Sequence, residues 1–193
     1  MTATPSPLRH VPNIITVGRV LLVIPTAWCL WYELYVEALT LMAVAGASDA
    51  VDGALARRFD WFSRFGAFLD PLADKLLIGV LIVVLTLQGH MPWWLTAIVI
   101  GRDLVILIGA TFYRFLFGSI EIEPRILSKI NTALQIVVVL LFLLELCQLP
   151  YVTELATTLN HPWGVWLLAA AGIISGADYV LSWSRRALRE SRA

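Results

Sequence analysis

Two neighbouring stretches decide the fold: VEALTLMAVAGASDAVDGALARRF at residues 36–59 and FGAFLDPLADKLLIGVLIVVLTL at residues 65–87. A span needs about 20 mostly apolar residues to cross roughly 30 Å of hydrocarbon, and both stretches are that long. Each nevertheless carries two aspartates, Asp49 and Asp52 in the first, Asp70 and Asp74 in the second. Cutting the stretches at these charges would leave runs too short to span, so the charges belong inside the helices. Working outward, four more stretches have spanning length: Asn13–Trp31, Pro92–Phe117, Pro124–Leu146 and Trp163–Trp183. Pro12, Pro92, Pro124 and Pro162 lie at or just before the expected helix starts, where a missing N–H does no harm. The expected fold is all-α, a polytopic membrane protein with six transmembrane helices forming one domain over residues 1–193.

Composition points the same way. The chain is 59% apolar and 15% charged, against about 25% charged in soluble domains. Its mean hydropathy is strongly positive. Cys29 and Cys147 sit in separate apolar runs without metal-ligand spacing, which argues for core or lipid-facing thiols rather than a disulfide. The run Ile14–Trp31 is longer than the roughly 7–15 residues of a signal-peptide core and no small-residue cleavage site follows it, so it reads as a retained span. No internal repeat or Ser-Gly linker divides the chain, and no nucleic-acid partner is expected.

The connections divide by charge. One side collects Arg9, then Arg57, Arg58 and Arg64, then Arg114, Arg125 and Lys129, then Arg185, Arg186, Arg189 and Arg192. The other collects Glu33, Glu37, Glu145 and Glu154 and no Lys or Arg. Positive residues stay inside, so both termini are expected in the cytoplasm. Trp31, Trp93, Trp94 and Trp163 fall near the outer interface and Trp61 and Trp183 near the inner one, as aromatic belts do. The short, proline-containing segment before the first span points to a bacterial inner membrane rather than a mitochondrial import route.

An ionised group at mid-span costs at least ~2.5–3.5 kcal/mol, so such residues are usually paired or functional. Arg19, Asp49, Asp52, Asp70, Asp74, Lys75, Arg102, Asp103 and Asp178 all fall inside the expected spans. Counted from the cytoplasmic end, Asp49 lies about ten residues in, ~15 Å at about 1.5 Å per residue, and Asp74 about nine. Antiparallel pairing of the second and third helices therefore brings four carboxylates to similar heights. Asp49 and Asp52 share one helix face through their spacing, as do Asp70 and Asp74. Four carboxylates this close need cations between them in low dielectric, and two hard divalent ions with oxygen ligands can share them. Gly46, Gly53 and Gly66, with several alanines, remove bulk around this point and let helices or a ligand approach. A lone intramembrane Asp is often only a structural partner for an Arg. A cation-coupled transporter would also carry carboxylates here, though with more spans or visible repeat symmetry and a site nearer the midplane.

The segment Asp49-Ala-Val-Asp52-Gly53-Ala-Leu-Ala56-Arg57, followed by Gly66, Asp70 and Asp74, resembles the signature of the CDP-alcohol phosphatidyltransferases, D-x-x-D-G-x-x-A-R-x8-G-x3-D-x3-D. Every fixed position is met. The resemblance runs from Asn13-Ile-Ile-Thr16-Val-Gly-Arg19 to Ser175-Gly-Ala-Asp178-Tyr179. It implies a six-helix fold, often a homodimer, acting on CDP-diacylglycerol with its cytidine diphosphate at the cytoplasmic surface. It further implies that Asp49, Asp52, Asp70 and Asp74 hold two Mg²⁺ or Mn²⁺ ions. Thr16, Gly53, Ala56, Arg57 and Gly66 would then shape the nucleotide site, and Asp74 would be the base that takes the proton from the acceptor hydroxyl.

The run Leu69-Asp70-Pro71-Leu72-Ala73-Asp74-Lys75 is similar to the branch containing phosphatidylglycerophosphate synthases and membrane-helical cardiolipin synthases. The former often show Lys-x-Lys-Thr-x-x-Gln in the fifth helix. Here the stretch is Lys129-Ile130-Asn131-Thr132-Ala-Leu-Gln135, with Asn131 replacing the second lysine. One phosphate-binding charge is missing, which favours phosphatidylglycerol over glycerol-3-phosphate as acceptor, with Arg102 and Lys129 holding its diester. The competing reading of Arg102-Asp103 is a structural ion pair with Asp178 or Arg19. A catalytically silent scaffold would be expected to have lost a signature residue, and none is lost.

Overall fold

The computed structural model describes residues 11–59, 64–117 and 126–190, with the side chains at 11–14, 52, 55–57, 59, 64–72, 110, 112–117 and 184–190 outside that description. Among the described residues there are helices and turns and no strand. The helices are α1 (Val11–Trp31), α2 (Tyr35–Phe59), α3 (Arg64–Leu87), α4 (Trp93–Phe117), α5 (Ile126–Leu146), α6 (Val152–Leu159) and α7 (Val165–Glu190). They group into two compact units, Met1–Gln88 and Gly89–Ala193.

In the first unit α1 packs against both α2 and α3. Its inner face is a seam at spacings of three and four residues: Thr16, Arg19, Val23, Thr26 and Leu30 are all buried. Ala38, Met42 and Ala45 form the matching stripe on α2, small enough to let the helices close up. On α3, Ala73, Leu77, Leu81 and Leu85 make a buried row. The α1–α2 turn is stopped by a hydrogen-bond pattern at the end of α1. The Leu34 N–H bonds the Cys29 carbonyl at 2.8 Å and the Glu33 N–H bonds that of Leu30 at 3.1 Å, with Glu33 at φ 61°. The Gln88 amide, just after α3, donates to the Leu30 and Trp31 carbonyls at 2.9 and 3.2 Å. These bonds satisfy carbonyls that a helix end would otherwise leave open.

In the second unit α7 packs on α4 and α5, and α6 packs on α5. The buried seam of α5 is Asn131, Gln135, Val138, Val139, Phe142 and Leu143. The indole of Trp183 on α7 lies directly over Gly109 on α4, where any Cβ would collide with the ring. Tyr179 meets Trp183 edge-on, with ring centroids 5.6 Å apart. Cys29 and Cys147 are free thiols.

The core is mostly apolar, but it also takes in polar side chains, and many large apolar side chains lie on the outside. Buried positions include Thr16, Arg19, Arg102, Asn131, Gln135 and Ser175, whereas Leu21, Ile24, Trp28, Leu107, Ile108 and Ile174 are exposed. Such a surface suits lipid, with the polar groups turned inward. By length and composition, Ile126–Leu146 and Val152–Trp183 are described stretches able to cross a membrane.

Two features differ from the sequence expectation. The expected sixth span, Trp163–Trp183, is preceded by α6, whose Val152, Leu155, Ala156 and Leu159 recur at helical spacing. The stretch breaks at His161, with φ −113° and ψ 120°, because the residue before a proline is pushed out of the helical region. Secondly, the expected antiparallel pairing of the second and third helices is not the main packing among the described residues: α2 and α3 each pack on α1 instead.

Glu33 adopts a left-handed conformation that glycine adopts at no steric cost. Glu33→Gly is therefore expected to stabilise the protein by about 0.5–1 kcal/mol. The check is a rise of a few degrees in the melting temperature of the detergent-solubilised protein; an unchanged or lower value would contradict the turn assignment.

Candidate active site

The first cluster is built on Arg19. Its side chain is 1% exposed, and Nη1 lies 2.6 Å from Asp49 Oδ1 and 3.2 Å from Asp74 Oδ1. A buried guanidinium requires counter-charge, and two helices supply it. Asp49 continues the Ala38–Met42–Ala45 stripe of α2 towards α1, while Asp74 follows the buried Ala73 on α3. The two carboxylate side chains remain 46% and 48% exposed. The first and last aspartates of the signature, far apart in sequence, thus converge on one positive atom.

Asp49 and Asp74 thus present half-accessible carboxylate oxygens from two helices, the ligand type a hard divalent cation takes, with the Arg19 guanidinium between them. Among the described residues no group of three or more His, Cys, Asp or Glu side chains is close enough to hold a metal. The side chains of Asp52 and Asp70 lie outside the described residues, as do those of Ala56 and Arg57 and the burial of Gly66. Of the other expected nucleotide-site residues, Gly53 is partly exposed on α2 and Thr16 is buried one turn before Arg19 on the same face of α1.

The second cluster lies in the other unit. Arg102 is buried on α4 at 5% exposure. Its Nη1 donates to Asp103 Oδ1 at 2.6 Å. Its Nη2 donates to Ser128 Oγ of α5 at 2.6 Å and to Ser175 Oγ of α7 at 2.8 Å, and Nε reaches the same Ser175 oxygen at 3.3 Å. One guanidinium therefore ties α4, α5 and α7 together. Lys129, beside Ser128, is exposed. Asn131 is 0% exposed, and among the described residues neither end of its amide has a hydrogen-bond partner.

Sequence reasoning flagged Arg19 as an expensive charge but did not join it to the aspartates. Spacing was the available signal: Arg19 and Asp74 lie about eight and ten residues from the N-terminal ends of α1 and α3, and Asp49 about ten from the C-terminal end of α2, the depths that antiparallel neighbours share. The anchoring of Arg102 by Ser128 and Ser175 was not foreseen either, because serine carries no spacing signal of its own.

Comparison with known proteins adds independent observations. The family model described as CDP-alcohol phosphatidyltransferase matches residues 9–177. A probable cardiolipin synthase (CMP-forming) of Drosophila melanogaster is 37% identical over 146 residues, covering 67% of this chain and 45% of that protein. A probable phosphatidylglycerophosphate synthase of Mycobacterium tuberculosis is 33% identical over 193 residues, covering 95% of this chain and 84% of that protein. A CDP-diacylglycerol–glycerol-3-phosphate 3-phosphatidyltransferase of Pseudomonas fluorescens is 47% identical over 104 residues, covering 50% of this chain and 52% of that one. The chain thus spans about half the length of two of these relatives and most of the third.

Ser175→Ala removes the hydroxyl that receives two Arg102 donors. The expected loss is about 1–3 kcal/mol, since hydrogen bonds to charged groups are the stronger kind. A drop of several degrees in melting temperature in detergent checks it; no change would mean that Arg102 is held without Ser175.

Proposed function

The chain belongs to the CDP-alcohol phosphatidyltransferase family, and from that premise we propose that it transfers the phosphatidyl group of CDP-diacylglycerol to the hydroxyl of phosphatidylglycerol, giving cardiolipin and CMP. The observation that supports the proposal is the meeting of Asp49 from α2 and Asp74 from α3 at one nitrogen of Arg19. Both belong to a signature whose chemistry is phosphoryl transfer.

In this reading Asp49, Asp52, Asp70 and Asp74 hold two Mg²⁺ or Mn²⁺ ions, and bound metal would neutralise charge on the phosphoryl oxygens and leaving group. Thr16, Gly53, Ala56, Arg57 and Gly66 position the cytidine diphosphate. Asp74 accepts the proton of the acceptor hydroxyl. The hydroxyl oxygen forms a bond to the phosphorus bearing diacylglycerol, the phosphorus–oxygen bond to CMP breaks, and CMP leaves with the electron pair. Lys129, exposed on α5, supplies positive charge for the acceptor's diester, while Arg102, its donors taken up by Asp103, Ser128 and Ser175, ties α4, α5 and α7 together. Asn131 stands where a second lysine would serve a phosphate dianion.

A second reading has its own support. The similarity to the Mycobacterium tuberculosis protein covers 95% of this chain, and that relative is named a probable phosphatidylglycerophosphate synthase. Glycerol-3-phosphate would then be the acceptor, in the same site and by the same chemistry.

The setting we infer is a six-span, multi-pass membrane domain with both termini and the site on the cytoplasmic side, working as a homodimer. α1 to α5 and α7 would be the spans, with α6 at the outer interface. A reporter active only in the cytoplasm, fused after Ala193 or after Gly89, tests the topology. Activity is expected at the first position and not at the second; the reverse would overturn the orientation.

The activity test is CMP release by purified protein with CDP-diacylglycerol and Mg²⁺, offering phosphatidylglycerol and glycerol-3-phosphate separately. Turnover with phosphatidylglycerol alone is expected. Turnover with glycerol-3-phosphate alone would transfer the assignment to the second reading. Asp74→Asn is expected to reduce turnover by about 10²–10⁴-fold, the usual contribution of a positioned base. An Asp74→Asn protein as active as the parent would remove Asp74 from the chemistry.

A further inference from the structure

We propose that Arg19 is a positioning residue of the carboxylate site: a resident cation, carried on a third helix, that keeps Asp49 and Asp74 assembled when metal is absent. The inference rests on reading those aspartates as metal ligands and adds to that reading a residue outside the signature.

Three observations carry it. First, Arg19 Nη1 is within ion-pair distance of both carboxylates, from two different helices. Second, burial is lopsided. The guanidinium side chain is 1% exposed, yet the carboxylates it meets are 46% and 48% exposed. A purely structural buried pair encloses both partners, whereas here the cation is sealed behind its anions and the anions stay accessible. Third, Arg19 sits in the α1 seam between Thr16 and Val23, with α1 packed on both α2 and α3. The charge is therefore set by backbone packing rather than by a flexible surface side chain.

Carboxylates gathered in a low-dielectric site repel one another unless cations lie between them. Bound divalent metal would relieve that repulsion, but a site that loads and unloads metal must also survive without it. A fixed guanidinium supplies part of the compensation permanently. Removing its charge should make the assembled site depend on metal. By linkage, the stabilisation conferred by metal then grows, because metal binds only the folded arrangement.

The experiment is thermal melting of the full-length protein in detergent, in EDTA and in saturating Mg²⁺ or Mn²⁺, for the parent, Arg19→Gln, Arg19→Lys and Arg19→Gln/Asp49→Asn. Arg19→Gln is expected to melt well below the parent in EDTA and to recover most of that difference with metal. Its metal-induced shift should be roughly doubled relative to the parent. The double variant, with charge rebalanced, should melt above Arg19→Gln in EDTA. If Arg19→Gln lowers the melting temperature equally with and without metal, Arg19 is only a strut and the inference fails. Failure of the double variant to recover in EDTA would also overturn it. Should Arg19→Gln not accumulate, Arg19→Lys decides: it keeps the charge but displaces it, so a metal-induced shift above the parent's is expected. A shift equal to the parent's would sink the idea. A parent that shows no shift with either metal would remove the metal reading itself, and the inference with it. A parent that shifts while all variants run parallel to it removes the inference alone.

Discussion

A guanidinium almost wholly removed from solvent, with one nitrogen between carboxylates from two other helices, sets the terms for the first unit. Leaving such a charge uncompensated in a low-dielectric interior would cost several kcal/mol, so Asp49 and Asp74 must come to it. For them to do so α1 must lie against both α2 and α3, and the sequence supplies the means. Val23, Thr26 and Leu30 continue the seam above Arg19, Ala38, Met42 and Ala45 let α2 approach closely, and the row ending at Leu85 fits α3 to the same helix. Gln88, reaching back to the Leu30 and Trp31 carbonyls, closes the far end of this arrangement.

The second unit solves a related problem differently. Arg102 is as deeply placed as Arg19, yet its donors are taken up inside the unit by Ser128, Ser175 and Asp103. One arginine faces accessible carboxylates and the other is enclosed by short polar partners. That contrast separates a charge arranged around an open site from a charge that joins three helices. Both units combine a mostly apolar core that holds a few polar groups with an outer surface rich in large apolar side chains, a surface that suits lipid. The match to the CDP-alcohol phosphatidyltransferase model, running over residues 9–177, crosses both.

The helices themselves were largely legible. Expected stretches such as Val36–Phe59 and Pro92–Phe117 lie within a residue of Tyr35–Phe59 and Trp93–Phe117, because long apolar runs bounded by proline and polar turns have few other ways to satisfy their backbone. α6 was not foreseen: at eight residues it falls below the length at which apolar periodicity stands out. The break at His161 follows from the proline after it, which the sequence does show. Spacing and depth grouped four aspartates, of which the structure describes Asp49 and Asp74 meeting at Arg19. Arg19 was readable only as a charge in an expensive place, since nothing local says which helix will supply its partner.

By itself, the sequence determined that this is an all-helical chain with a carboxylate signature in two adjacent helices, since apolar run length and residue spacing are properties of the single segment. Tertiary structure decided that α1 is the element joining Asp49 to Asp74, that Arg19 is their shared cation, and that Arg102 is bound up by Ser128 and Ser175. Those outcomes depend on which helix faces pack together. Such packing is a collective choice among non-local contacts, made where burying a charge without a partner would cost more than any single helix can supply.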